Sequence, residues 1–175
     1  LSRGLLKINN KLNFFFLLET LSKDEKKIFI NFKNIKIINI KKNSNLNKKK
    51  EVHFMLSLIK NYKPVILIID SYNINLNWEK KYSNNVKILA IDDLANRKHI
   101  TNYLIDYSLN RNSDNYSKLI NKNSLKFLGS DFFLYDKNIP NYRKKSFNNQ
   151  ILCKVKTGII NFGGADNNNL LFSIV

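Results

Sequence analysis

Three groups of polar residues follow apolar runs and carry the side chains best suited to chemistry. They are Asp70 to Tyr72, the pair Asp92-Asp93, and the turn from Gly163 to Asp166. Each preceding run has the β-branched character of a strand. Because α/β proteins bind ligands at the carboxyl ends of parallel strands, these groups are the candidate catalytic and binding residues.

The acidic pair and its neighbours allow more than one interpretation. Asp92 and Asp93 are adjacent carboxylates, which suit hydroxyl binding or acid/base chemistry, but a helix N-cap followed by a solvated acid is the simpler interpretation. Tyr72 suits hydrogen bonding to a substrate, and equally suits packing at the sheet edge. His99 suits a base, although a lone His after the basic Arg97-Lys98 pair is more typical of a loop.

The pair Gly163-Gly164 stands out because the chain has only 5 glycines. Glycine tolerates positive φ and lets backbone N–H groups approach a phosphate, and the N-terminus of a following helix favours an anion. A tight turn between strand and helix, without a ligand, explains the pair equally well. Asp166 and Asn169 lie at the start of the predicted helix.

Alternating strands and helices are predicted to position these groups. The predicted strands lie at 14–18, 35–40, 65–69, 86–91, 103–105 and 126–128. Helical spacing is found at 1–12 and 52–59, around Trp78 and Tyr82, and after Ser113, which is a candidate N-cap. This alternation predicts an α/β fold with a parallel sheet.

The chain is predicted to contain one truncated domain and the start of another. Residues 1–139 form the first domain, and the polar, irregular stretch 140–156 reads as a linker. Residues 157–175 read as strand, glycine turn and helix start, which is the first unit of a second domain.

Composition explains the charge without a nucleic-acid partner. The net charge is +17, but the chain also has 30 Asn, 26 Lys and 22 Ile, which all have A/T-rich codons. These counts indicate an A/T-rich genome, in which Lys accumulates at surface positions that tolerate it. The Lys residues are scattered, and only Lys48-Lys49-Lys50 form a tight run. A basic nucleic-acid-binding domain is therefore the remote alternative.

Other classes are excluded by simple counts. A single Cys153 excludes a disulfide framework, and two His make a multi-His metal site improbable. No apolar run reaches the ~20 residues of a membrane span, and no signal peptide is visible at the start. We expect a cytoplasmic protein without a membrane partner, a metal or a cofactor.

Taken in order, these motifs resemble those of UDP-2,4-diacetamido-2,4,6-trideoxy-beta-L-altropyranose hydrolase, the family of pseudaminic acid biosynthesis. The matching segments are Asp70-Ser71-Tyr72, Trp78-Glu79, Asp92-Asp93 with Arg97 and His99, Phe127-Leu128-Gly129, and Phe162 to Asp166 with Asn169-Leu170. The resemblance is clear over 65–175 and vague over 1–63. Order and spacing give it its specificity, because each motif is short.

The resemblance implies the two-domain glycosyltransferase-B architecture with a Rossmann-like first domain. It implies a monomeric, metal-independent hydrolase in which water attacks the anomeric carbon of a UDP-sugar and UDP leaves with inversion. Tyr72 matches a tyrosine near the catalytic centre, and Asp70, Asp92, Asp93 and His99 are motif residues on the sugar side. Gly163, Gly164, Asp166 and Asn169 match the UDP-binding turn.

Several departures from the family pattern bear on activity. The family's general base is a His in a Gly-x-Gly-His-x-x-Arg loop, which nothing here matches, so we expect a fragment that begins just beyond it and is inactive alone. Tyr135-Asp136 replaces the family's Leu-Arg, which reverses a charge and leaves the sugar's identity open. A MurG-like UDP-sugar glycosyltransferase is the alternative with the same fold.

Overall fold

The structure, a computed structural model, describes residues 1–18, 27, 33–39, 48–135 and 138–149. The chain divides into two compact units, Leu1–Leu134 and Tyr135–Val175. In the described part, no helix is long and apolar enough to cross a membrane. The first unit carries two sheets in its described part, where the helices and strands in chain order are α1 Ser2–Ile8, β1 Phe14–Leu18, β2 Ile35–Asn39, α2 Lys48–Tyr62, β3 Ile66–Asp70, α3 Leu76–Glu79, β4 Lys87–Ile91, β5 Tyr103–Asp106 and β6 Leu125–Leu128.

Every pairing between the described strands is parallel. Strands β1 and β2 form a two-stranded sheet, and β3, β4, β5 and β6 form a four-stranded sheet in that order. The predicted α/β class with a Rossmann-like parallel sheet is confirmed. The six strands predicted between residues 14 and 128 are all present, with ends that move by one residue at most, and the strand predicted at the start of 157–175 lies outside the described residues.

Helix α2 shows how the local sequence sets its limits. Its apolar residues Val52, Met55 and Ile59 recur at helical spacing and face the core. The helix ends where Lys63 takes a left-handed conformation (φ 44) and donates its N–H to the Ile59 carbonyl. Pro64 follows and cannot continue the helix.

Among the described residues of the first unit, the buried apolar side chains form two clusters. The first is centred on Met55, Tyr82 and Val86, and the second on Ala90, Leu104 and Tyr116. Each fully buried aliphatic side chain contributes about 1.5–3 kcal/mol. The second cluster lies under the carboxyl end of the four-stranded sheet, because its strand residues Ala90 and Leu104 are register partners near that end.

Helix α1 ends at Ile8, short of the helical spacing predicted over 1–12, because Asn9 is extended. The structure differs from three further predictions. The helix predicted around Trp78 and Tyr82 is a single α-helical turn, α3, which Asn75 caps by accepting hydrogen bonds from two backbone N–H groups. Asn112, not Ser113, caps the next segment, which is a 3₁₀ turn at Ser113–Tyr116.

The third difference lies in the second unit. The stretch predicted as an irregular linker from residue 140 contains a helix, α4, over Ile139–Asn149. Its sequence is rich in Lys, Arg and Asn, and polarity alone does not prevent a helix, since Lys and Arg are good helix formers. The assignment of 140–156 as a linker between two domains remains a prediction.

Candidate functional site

The pairing register of the strands places three aspartates at the carboxyl end of the sheet in different environments. Strands β3, β4 and β5 each lead into an Ile followed by an Asp, namely Asp70, Asp92 and Asp106. Asp70 pairs with Ile91, so it lies one residue short of Asp92. Because successive strand residues face opposite sides, Asp70 is exposed whereas Asp92 and Asp106 are buried.

Each buried aspartate is paired with an arginine. An Arg97 nitrogen, Nη2, lies 3.1 Å from Asp92 Oδ1, and Arg111 Nε contacts Asp106 Oδ2. The Ala95 N–H also donates to Asp92 Oδ2 at 3.1 Å, and the Ser108 N–H donates to Asp106 Oδ1 at 2.9 Å. Both carboxylates are fully shielded from solvent, so these charges require such partners.

Tyr116 lies between the two aspartates. Its hydroxyl oxygen is 2.9 Å from Asp92 Oδ2 and 2.7 Å from Asp106 Oδ2, and the residue is completely buried. The phenol has one proton, so it donates to one carboxylate at a time while it lies within reach of both. Burial raises the pKa of Tyr116, and the two carboxylates raise it further, so the phenol stays protonated.

His99 and Glu79 extend this arrangement to α3. His99 Nδ1 lies 2.6 Å from Glu79 Oε1, and the Ile100 N–H donates to Glu79 Oε2 at 2.6 Å. On its other side, His99 Nε2 is 3.8 Å from Asp92 Oδ2. Both His99 and Glu79 are buried.

Together these residues form a buried charge cluster. Its members are Glu79, Asp92, Arg97, His99, Asp106, Arg111 and Tyr116. Three carboxylates face two guanidinium groups, so the cluster is electrically neutral when His99 is an imidazolium. Neutrality favours the buried state, since an uncompensated charge is costly in a protein interior.

The acid–base properties of the cluster follow from this balance. Burial alone would lower the pKa of His99, but the Asp92 and Glu79 carboxylates outweigh it and raise the pKa to about 9. Burial would raise the pKa of Asp92, but His99 and the hydrogen bond from Tyr116 lower it to about 2. At neutral pH His99 is therefore protonated and cannot accept a proton as a general base.

Above the cluster, Tyr72 and Asp93 form an exposed surface pair. The Tyr72 hydroxyl lies 2.9 Å from each Asp93 carboxylate oxygen, and Tyr72 is 64% exposed. The hydrogen bond to Asp93 raises the pKa of Tyr72, which keeps the phenol in its protonated, donating form.

Both arginines of the cluster also bind the backbone of the surface pair. Arg97 Nη1 donates to the Tyr72 carbonyl at 2.6 Å, and the guanidinium lies 5.7 Å from the centre of the Tyr72 ring. Arg111 Nη2 donates to the Asp93 carbonyl at 2.7 Å, and the Ser108 hydroxyl donates to the same oxygen at 3.2 Å. The surface pair is thus anchored from below at both residues.

Aromatic rings and a further carboxylate surround the surface pair. Tyr107 packs edge-on against Phe133, with ring centres 5.1 Å apart. Burial raises the pKa of Tyr107, as do the charges of Asp93 and Asp70, which are close enough to act on its phenol. The exposed edge of the sheet therefore combines carboxylate acceptors, phenol donors and ring faces.

The arrangement suits binding of a polyhydroxylated ligand. Carboxylates accept hydrogen bonds from hydroxyl groups, phenols donate to hydroxyl or carbonyl oxygens, and ring faces pack against apolar C–H surfaces. Both arginines are already engaged by carboxylates and carbonyls, so they are not available to an anionic ligand. In the described ranges, no group of three or more His, Cys, Asp or Glu side chains is arranged to hold a metal ion.

The structure divides the predicted sugar-side residues into two sets. Tyr72, Asp93 and Asp70 lie at the surface of the carboxyl edge, where a ligand can reach them. Asp92 and His99 lie in the buried charge cluster. No helix follows Asp92, so its interpretation as a helix N-cap is wrong, whereas His99 does lie in the loop between β4 and β5, although it is buried there. The assignment of Asp92 and His99 as binding residues stays a prediction, in which they act by supporting the surface residues from the buried cluster.

The predicted UDP-binding residues Gly163, Gly164, Asp166 and Asn169 lie outside the described residues. Sequence reasoning missed the supporting roles of Arg111, Asp106 and Tyr116 altogether. The repeated Ile-Asp ending of the strands was the available signal for Asp106, and nothing local marked Tyr116.

No protein-family model matches the chain, and no curated protein matches it at a significant level. The resemblance to the hydrolase family therefore stays a prediction.

Proposed function

We propose that the chain supplies the sugar-binding side of a UDP-sugar hydrolase with the glycosyltransferase-B architecture. In that reaction water attacks the anomeric carbon of UDP-2,4-diacetamido-2,4,6-trideoxy-beta-L-altropyranose, and UDP leaves with inversion. The surface pair Tyr72–Asp93 at the carboxyl edge is the observation that carries the proposal. Such an enzyme would act as a cytoplasmic monomer.

The chemistry of the surface pair supports contact with the sugar. A sugar hydroxyl can donate to Asp93 and accept from Tyr72, so it can replace the hydrogen bond that the two side chains make with each other. The acetamido groups add carbonyl acceptors for the Tyr72 phenol. A hydrogen bond between a sugar hydroxyl and the charged Asp93 carboxylate contributes about 1.5–3 kcal/mol.

Charge supports an orientation with the sugar, not the diphosphate, at this edge. Asp70 is exposed and Asp93 is half-exposed, and both would repel phosphate. Arg97 and Arg111 are neutralised by Asp92 and Asp106. In this proposal UDP is bound by the turn that contains Gly163 and Gly164, as the resemblance implies.

The base that activates water is not His99. That imidazole is buried, protonated at neutral pH and held between two carboxylates. Tyr72 is protonated as well, so it acts as a hydrogen-bond donor to the sugar. In the proposed mechanism these residues orient the sugar and stabilise charge, and a different group abstracts the proton.

Titration of the isotope-labelled chain with the UDP-sugar and with UDP alone, followed by NMR, tests the proposal. We expect the UDP-sugar to shift the amide signals of Tyr72, Asp93 and Tyr107, and we expect UDP alone to leave them unchanged. Tyr72→Phe should weaken binding of the UDP-sugar by about 10-fold, since it removes one hydrogen-bond donor.

Tyr142→Phe is the matched control, because Tyr142 is also an exposed tyrosine but lies on α4 in the second unit. It should bind the UDP-sugar like the native chain. Equal shifts at Tyr72 and Asp93 with UDP alone would contradict the sugar assignment, and so would a UDP-sugar complex that leaves both residues unaffected.

A further inference from the structure

We propose that Arg97 and Arg111 are positioning residues for the surface pair, and that Tyr116 joins their carboxylate partners into one buried support. Each arginine contacts a buried carboxylate of the charge cluster and a backbone carbonyl of the surface pair. Arg97 pairs with Asp92 and donates to the Tyr72 carbonyl, and Arg111 pairs with Asp106 and donates to the Asp93 carbonyl. The support therefore reaches the backbone of both residues of the pair.

The guanidinium group is suited to this double contact. It is planar and carries its donors on several nitrogens, so one side chain can bind a carboxylate and a carbonyl at the same time. The ammonium of a lysine is a single compact charge and cannot span both positions with the same geometry. Arg97 uses Nη1 for the carbonyl and Nη2 for the carboxylate, which shows this division within one group.

Tyr116 makes the two supports a connected unit. Its hydroxyl lies within 2.9 Å of a carboxylate oxygen of Asp92 and of Asp106, and no other described hydroxyl touches both. The register of β4 and β5 brings these aspartates together, since Ala90 pairs with Leu104 two residues earlier on each strand. Through Tyr116, a substitution of one arginine therefore alters the position of both residues of the surface pair.

The alignment of the surface pair has a spectroscopic signature that does not require a ligand. The hydrogen bond to Asp93 and the charge of that carboxylate raise the pKa of the Tyr72 phenol, with smaller effects from burial, Tyr107 and Asp70. Loss of the alignment would bring the titration of Tyr72 back toward the ordinary tyrosine pKa of about 10. Replacement of Arg97 by Lys keeps the positive charge, so the change reports geometry and not net charge.

The experiment measures two quantities in Arg97→Lys and Arg111→Lys: the pKa of Tyr72 by NMR of tyrosine labelled at the ring Cζ, and the dissociation constant of the UDP-sugar. We expect both variants to lower the pKa of Tyr72 relative to the native chain and to weaken sugar binding by about 10-fold. Arg143→Lys on α4 is the matched control and should change neither quantity. Only variants whose NMR spectra keep the native dispersion are compared, and Ser108→Ala supplies a milder test, since Ser108 donates to the same Asp93 carbonyl.

This inference uses the proposed function only for the sugar measurement, so the two fail separately. If the folded variants lower the pKa of Tyr72 while neither they nor the native chain bind sugar, the positioning role stands and the proposed function fails. If both lysine variants and Ser108→Ala keep the native pKa of Tyr72, the positioning role is wrong, whether or not the native chain binds sugar.

Discussion

Two tyrosines, Tyr82 and Tyr116, are 0% exposed, and their hydroxyl groups lie in opposite surroundings. Tyr82 packs with Met55 and Val86, and its hydroxyl has no hydrogen-bond partner among the described residues. Tyr116 packs on Ala90 and Leu104 with its ring, and its hydroxyl reaches Asp92 and Asp106. The same side chain thus fills space in one region and connects charges in the other.

The apolar cluster around Tyr82 stabilises the fold, whereas the buried charge cluster around Tyr116 orders the side chains of the candidate site. The cluster around Tyr82 removes apolar surface from water, and such burial is not directional. The buried charge cluster gains little net stability, because desolvation offsets the attraction between its charges. The cluster instead fixes geometry, since each charged group accepts only a few arrangements of its partners. Two of these groups, the guanidinium groups of Arg97 and Arg111, hold the backbone of the surface pair.

The largest effect is expected when one charge of the cluster loses its partner. Arg111→Met leaves Asp106 buried without a cation, and breaking a buried pair in this way costs about 3–5 kcal/mol. Urea denaturation at pH 6 measures the loss in free energy of unfolding. Addition of Asp106→Asn to Arg111→Met should recover part of the loss, and a double variant as unstable as the single one would contradict the charge-balance account.

A smaller effect is expected from pH, and only in the charged region. The pKa of His99 is raised from 6.5 to about 9 in the folded chain. Its contribution is therefore fully present below pH 6.5 and is lost as the pH rises through 9, a difference of about 3 kcal/mol. Urea denaturation across this range measures the decline.

The second histidine provides the control for this prediction. His53 is exposed on α2, so His53→Gln should keep the decline in stability between pH 6.5 and 9. His99→Gln should remove it, whatever its stability at pH 6. An identical pH dependence in both variants would show that His99 is not the titrating group.

The smallest effects are expected from the two tyrosines themselves. Tyr116→Phe removes the donor that Asp92 and Asp106 share, which should cost about 1–3 kcal/mol. Tyr82→Phe removes a buried hydroxyl without a partner, so the free energy of unfolding should stay within about 1 kcal/mol of the native value or rise. Thermal unfolding of both variants is the measurement, and equal losses would remove the distinction between the two regions.

The sequence predicted the sheet better than it predicted the site. The strands were readable because β-branched runs and turn residues are local signals, and the position of Tyr72 at the sheet edge followed from where β3 ends. The register between strands is not local, and it alone decides that Asp92 and Asp106 are buried side by side while Asp70 is exposed.

The long-range partners of the cluster were out of reach for the same reason. Glu79 and His99 are separated by 20 residues in the chain, and Tyr116 and Asp92 by 24. Polarity also misled the prediction for 140–156, because a stretch rich in Lys and Asn reads as irregular although part of it, Ile139–Asn149, is helical.

A double-mutant cycle on Tyr72 and Asp93, with the dissociation constant of the UDP-sugar as its readout, tests the central claim most directly. If the two side chains act as one binding pair, Tyr72→Phe and Asp93→Ala should each weaken binding by about 10-fold, and the double variant should lose little more than either. Losses that multiply to about 100-fold would show two independent contacts. Native affinity in all three variants would show that the sugar binds elsewhere.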